Sequence, residues 1–130
     1  MRPETIVTLS QMQAAGLFIR ARAGAMTLEQ YIADETVRCA VERKFEIIGE
    51  AATRLVKASP EIAATITDIR GIISFRNRIV HGYDVVSDKF VWDNMHDPLR
   101  LMLKEVGVLL AEGSPEGAGA AGGIGAGGGG

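Results

Sequence analysis

Two apolar stripes constrain this chain more than anything else in it. Val37, Val41, Phe45, Ile48, Ala52 and Leu55 recur at intervals of four, four, three, four and three residues, and Val91, Met95, Leu99, Met102, Val106 and Leu109 repeat the same series. An α-helix returns to one face about every 3.6 residues, so each series gathers its side chains on one side of a helix. Two such stripes must bury themselves against other helices, in the same chain or across a homodimer. The first predicts a helix over 35–57, the second a helix over 88–111. Pro98 lies inside the second and predicts a kink, because it removes one ladder hydrogen bond.

The rest of the pattern is helical as well. Ile6, Leu9, Met12 and Leu17 mark a first amphipathic helix over 4–23, with Gly24 as its stop. Thr27 to Gln30 has the form of a capping box opening a short helix to Asp34. Ser59-Pro60-Glu61 reads as an N-cap serine, a first-turn proline and an acid, opening a short helix over 60–66. Thr67 or Asp68 caps a further helix that ends at Gly82, and residues 83–87 form a loop. There is no β-hairpin signal and no fixed-period repeat. The expectation is an all-α antiparallel bundle of four to five helices.

The chain has 130 residues, enough for one domain. Its last eighteen hold ten of the sixteen glycines and no aromatic. Such a segment cannot bury enough apolar surface to offset the entropy of ordering it. Residues 1–112 are therefore read as the domain and 113–130 as a flexible Gly/Ala-rich tail. Net charge is −2, so any site for a polyanion must be local. Eight of the fourteen basic residues lie between Arg38 and Arg78. The single cysteine, Cys39, excludes an intrachain disulfide, fits a reducing compartment, and is expected to be packed rather than reactive. No apolar run is long enough for a membrane span, and the N-terminus lacks the apolar run of a signal peptide. A cytoplasmic protein is expected.

The residues that carry chemistry are concentrated at 76–83: Arg76-Asn77-Arg78-Ile79-Val80-His81-Gly82-Tyr83. On a helix Arg76 and Tyr83 share a face, and Asn77 and His81 lie one turn apart. Arginine offers a planar fork matched to two phosphate oxygens. An imidazole titrates near neutral pH, and carbonyls at a helix C-terminus favour a cation there. Arg76 can hold a phosphate and offset charge developing on it, and His81 can act as acid or base. Asn77 can orient the imidazole or bind a phosphate oxygen, and Arg78 can contact RNA backbone. RNA supplies its own nucleophile, the 2′-hydroxyl, so a metal-free ribonuclease needs a base, an acid and a cation. A dimer would bring two histidines and two arginines together. No metal-ligand spacing is present.

Composition and spacing alone favour a plainer account. His and Tyr often cap the last turn of a helix, and Arg76 and Arg78 can pair with surface acids such as Asp68 and Asp84. The charge stripe Arg38, Glu42, Glu46, Glu50 and Arg54 reads first as a solvated face, with a partner surface or an acidic rim as the alternative. Phe90 and Trp92 read as packing residues before they read as a base-stacking surface.

A resemblance shifts that balance. Arg76, His81 and Tyr83 match the Arg-x4-His-x-Tyr motif of HEPN domains, with Asn77 as the polar residue after the arginine. Phe45-Glu46-Ile47-Ile48-Gly49-Glu50-Ala51-Ala52 resembles the long-helix signature of the HepT-like branch, and Val91-Trp92-Asp93 resembles the start of its last helix. The likeness runs over 26–108. It implies an all-α homodimer, the toxin of a type VII toxin–antitoxin module, acting as a metal-independent endoribonuclease often directed at tRNA. Arg76 and His81 would cleave, with Asn77 and Arg78 in support. The partner would be a nucleotidyltransferase antitoxin that neutralises the toxin by AMPylation of Tyr83, using ATP. The toxin itself would need no cofactor. The alternative is a non-catalytic, nucleotide-binding helical subunit of a nucleotidyltransferase.

Overall fold

The computed structural model describes residues 1–81 and 87–113. They form α1 (Pro3–Ala23), α2 (Leu28–Ala33), α3 (Glu35–Ala58), α4 (Pro60–Ala63), α5 (Ile69–His81), α6 (Asp88–Asn94) and α7 (Asp97–Gly113). No strand occurs among the described residues, so the all-α expectation holds. The expected loop over 83–87 and the tail lie outside the described residues, except Ser87 and Gly113.

α3 is the axis. It packs against α1, α2, α4 and α5, while α7 lies on α1 and α6 bridges α2 and α7. The first stripe is buried as its spacing requires: Val37, Val41, Phe45, Ile48, Ala52 and Leu55 are each at most 7% exposed. The capping box at α2 forms in full. The Thr27 hydroxyl accepts from the Gln30 amide at 3.1 Å, and the Thr27 amide donates to Gln30 Oε1 at 2.9 Å. Asp34 ends α2 and caps α3, its Oδ1 accepting from the Val37 amide at 3.0 Å.

Several expectations are corrected. The second stripe belongs to two helices, not one kinked helix. Pro98 has no N–H, and its ring would meet the carbonyl of Asn94 in an unbroken helix. The chain instead closes turns through the Met95 and His96 amides and restarts at Asp97, with Pro98 in the first turn. Val91, Met95, Leu99, Met102 and Val106 are buried nonetheless. On α1, Leu17 is 54% exposed and Ile6 half-buried. The true inward face is Thr5, Leu9, Met12, Ala15, Gly16, Ile19 and Ala23. Gly16 permits this, because a Cβ there would come within 2.8 Å of Leu103 Cδ2 on α7. Cys39 is exposed, not packed. Ser59 stands at the N-cap of α4 as expected, but its hydroxyl makes no capping hydrogen bond there. It is buried and shares a 2.7 Å hydrogen bond with the Thr5 hydroxyl, joining α1 to the α3–α4 corner. α4 stops at Ala63 and gives way to turns. Within them, the Thr67 amide and hydroxyl both donate to the Glu105 carboxylate of α7, at 3.0 and 2.5 Å.

Candidate active site

α5 is strongly amphipathic, yet Phe75 is its one buried residue. Phe75 meets Phe45 of α3 and Phe90 of α6 edge-on, with ring centroids 4.8 and 5.3 Å apart. This aromatic contact fixes the rotation of α5. The next residue, Arg76, is directed to the α3 crossing. Gly49 of α3 makes room for it. A Cβ on Gly49 would collide with Arg76 Cβ, lie 2.5 Å from its Cγ and 3.4 Å from the Ile72 carbonyl oxygen. The root of the Arg76 side chain therefore rests on α3 backbone.

Its tip is held at two points. Nη1 donates to Asn77 Oδ1 at 3.1 Å, and Nη2 lies 3.5 Å from Glu50 Oε2. The same Glu50 oxygen is 3.9 Å from Arg43 Nη1, which is in turn 3.2 Å from Glu46 Oε1. Among the described residues Arg76 Nε has no hydrogen-bond partner and is buried, while the side chain as a whole stays 28% exposed. Arg76 thus pairs with Glu50, not with Asp68.

Asn77 is exposed, and its Oδ1 accepts from Arg76 Nη1. His81 is the last residue of α5 and is exposed, one turn beyond Asn77. Arg78 points to another side. Its guanidinium lies 4.7 Å from the centroid of the Phe90 ring, a cation–π contact. Phe90 therefore supports Arg78 and Phe75, and Trp92 donates its Nε1–H to the Met26 carbonyl at 2.9 Å, so both serve packing. Tyr83 lies outside the described residues.

Beside the site, α5 leaves apolar surface open. Val80 is 43% exposed, and Ile69 and Ile73 are half-buried. At about 100° per residue these three fall within about 60° of Arg76 around the helix.

Glu50 and Gly49 are the site residues that sequence spacing did not assign. Glu50 was legible as one charge in an i,i+4 stripe. That stripe proves to be a set of partners: Arg38 pairs with Asp88 at 3.8 Å, Arg54 donates to Gln11 at 2.6 Å, and Glu50 meets Arg76. A second polar cluster lies apart, where α2, α3 and α6 meet. Tyr31 is fully buried, and its hydroxyl has no hydrogen-bond partner among the described residues. Burial, then the charges of Glu42 and Asp88, holds its proton on more tightly than in an ordinary phenol. Burial, then Asp88, raises the Glu42 carboxyl above its ordinary range.

Among the described residues no three His, Cys, Asp or Glu side chains are placed to hold a metal ion, and no helix is long and apolar enough to cross a membrane.

Known proteins resemble the chain. A protein of Methanocaldococcus jannaschii named "Putative RNase" is 24% identical over 91 residues, covering 67% of this chain and 71% of its own length. A second "Putative RNase", from Caldanaerobacter subterraneus subsp. tengcongensis, is 26% identical over 93 residues, covering 72% and 82%. No solved structure matches. The family described as ribonuclease HepT-like matches residues 12–108, which include every helix from α2 to α6, Gly49, Glu50 and the Arg76–His81 segment. With that span matched, the chain belongs to the HepT-like ribonuclease family.

Proposed function

We propose that this protein is the toxin of a type VII toxin–antitoxin module and cleaves RNA, tRNA among the candidate substrates, without a metal. The observation that carries the reading is Arg76: a partly open guanidinium fixed at root and tip, five residues before His81 on one helix. In this reading Arg76 binds the scissile phosphate. His81 takes the proton from the 2′-hydroxyl as that oxygen attacks phosphorus. The bond to the 5′-oxygen breaks, and a protonated His81 from a second copy gives that oxygen its proton. The products are a 2′,3′-cyclic phosphate and a 5′-hydroxyl. The exposed Val80 beside Arg76, with half-buried Ile69 and Ile73 next to it, supports a homodimer that sets two such sites facing one cleft.

Control would come from a nucleotidyltransferase antitoxin that transfers AMP from ATP to the Tyr83 phenol, releasing pyrophosphate. The AMP would add negative charge and bulk two residues from His81, where RNA phosphate is to bind. The site of action would be the cytoplasm.

The test is cleavage of tRNA and of a single-stranded RNA by purified protein, in EDTA and in Mg²⁺. Cleavage in both buffers, lost in Arg76→Ala and His81→Ala with folding intact, is the expected result. Intact RNA in both buffers overturns the ribonuclease reading. Intact mass after co-expression with the antitoxin should show added AMP units, absent in Tyr83→Phe. An unchanged mass refutes the AMPylation.

A further inference from the structure

Arg76 is held in an unusual way for a surface arginine. Most arginines on a helix are tethered at Cα alone and sweep through many rotamers. Here Gly49 brings Cβ and Cγ against α3, Asn77 Oδ1 takes a hydrogen from Nη1, and Glu50 Oε2 sits across from Nη2. Contacts on both Nη atoms favour one orientation of the guanidinium plane. Nε is buried, so a phosphate cannot be met along the Nε edge. It must be met at the Nη end, where each nitrogen has a second hydrogen. A carboxylate in that position both orients the fork and competes with the phosphate for it.

The competition is graded by a third charge. Glu50 Oε2 is shared with Arg43, and Arg43 is shared with Glu46. At 3.5 Å the Glu50–Arg76 contact is an ion pair longer than a tight charge-assisted hydrogen bond. Glu50 is thus divided between two cations, and Arg76 keeps part of its charge for another anion.

We propose that Glu50 is a positioning residue for Arg76: its carboxylate, shared with Arg43, fixes the plane of the Arg76 guanidinium and sets how strongly that guanidinium holds an RNA phosphate. This rests on the ribonuclease reading for its function, but not for its geometry. Glu50 is outside the Arg-Asn-x3-His-x-Tyr segment and touches no reacting atom. It acts through Arg76 alone.

Two arms test it on the full-length protein. In the first, kcat and KM are measured on a single-stranded RNA oligonucleotide. Glu50→Ala loses the anchor, so kcat falls about 10- to 100-fold, the scale of a small misplacement of a catalytic group. Glu50→Gln keeps an acceptor oxygen but not the charge, so it recovers most of kcat while KM falls below wild type. Arg43→Ala gives Glu50 wholly to Arg76, so KM rises. Equal kcat and KM in wild type and Glu50→Ala overturns the proposal while leaving the ribonuclease reading intact. In the second arm, the guanidinium N–H resonances of Arg76 are followed by NMR, assigned by their absence in Arg76→Lys. Restricted rotation is expected in wild type and Glu50→Gln and fast averaging in Glu50→Ala. If Arg76 rotates equally in wild type and Glu50→Ala, the positioning role is refuted, whether or not the protein cleaves RNA. If no variant and no wild-type protein cleaves RNA but the NMR contrast holds, the ribonuclease reading fails and the positioning stands.

Discussion

Gly49→Ala sets two physical effects of known size against each other. Alanine in a helix interior is favoured over glycine by about 1 kcal/mol, so an isolated α3 would gain from the change. At the crossing, however, the new methyl would collide with Arg76 Cβ and lie 2.5 Å from Cγ. Carbon atoms rest near 3.5–4.0 Å, and the Cβ pair is closer than the Cγ contact, so α5 must withdraw from α3 by more than about 1 Å. Overpacking of this kind costs about 1–3 kcal/mol. The net change is then about 0–2 kcal/mol of lost stability. At roughly 4 °C per kcal/mol for a domain near this size, Tm falls by up to about 8 °C. If Arg76 binds the scissile phosphate as proposed, a displacement on that scale would lower cleavage about 100-fold. Gly107→Ala is the matched control. Its Cβ would find nothing nearer than Gln13 Nε2 at 4.0 Å. There the propensity gain stands alone, and Tm should rise about 4 °C with cleavage unchanged. The assay is thermal unfolding of both variants beside RNA cleavage. If Gly49→Ala raises Tm as Gly107→Ala does and keeps full activity, the close α3–α5 crossing is not what seats Arg76.

Two further outcomes follow from the cluster at α2 and α6. Burial lifts the Glu42 carboxyl above its ordinary 4.5, so the folded protein binds this proton more tightly than the unfolded chain. The resulting stability is present below pH 4.5 and is lost as pH rises through the raised value. Glu42→Gln should therefore unfold at higher urea than wild type at pH 7, with the gap closing toward pH 4, and a gap equal at both pH values would refute the assignment. Trp92→Phe removes the donor to the Met26 carbonyl and should cost about 1–2 kcal/mol in urea unfolding. An unchanged midpoint would show that water replaces the indole there without loss.

What could be read from sequence depended on how much of the signal lay in side-chain spacing. The α3 stripe carried its own proof, since large apolar residues at helical intervals have no other place to go. α1 misled because its inward face includes Thr5, Ala15, Gly16 and Ala23, which bring helices close without looking hydrophobic. Leu17, the larger residue, faces outward. The break before α7 was hidden because the stripe from Val91 to Val106 keeps helical phase across it. A periodic pattern cannot distinguish a kink from a restart, and the lost N–H of Pro98 decides it. Cys39 followed from spacing after all: it lies between inward Val37 and Val41, and is turned about 200° from each. In the candidate site, Arg76, Asn77 and His81 were legible as a cluster because they share one short segment. Gly49 and Glu50 come from another helix, and only the crossing brings them to Arg76. Arg78 stacks on Phe90 across an intervening stretch of chain, a contact with no local sequence signal.

The interruption at Met95 and His96 also divides the C-terminal part of the chain into units that answer to different neighbours. α7 is long and lies on α1, within the main core. α6 has seven residues, well short of the roughly 12–15 at which an isolated helix persists in water. It survives by docking: Asp88 on Arg38, Trp92 on Met26, Phe90 on Phe75. Such an element opens on its own, so its amides should exchange with solvent far sooner than those of α7, which wait for global unfolding. When α6 leaves, Phe75 loses one of its two ring contacts and Arg78 loses its aromatic support. The helix that carries Arg76 and His81 thereby has one flank, at Phe75 and Arg78, on a short element that opens early, while its main packing on α3 holds it in the core.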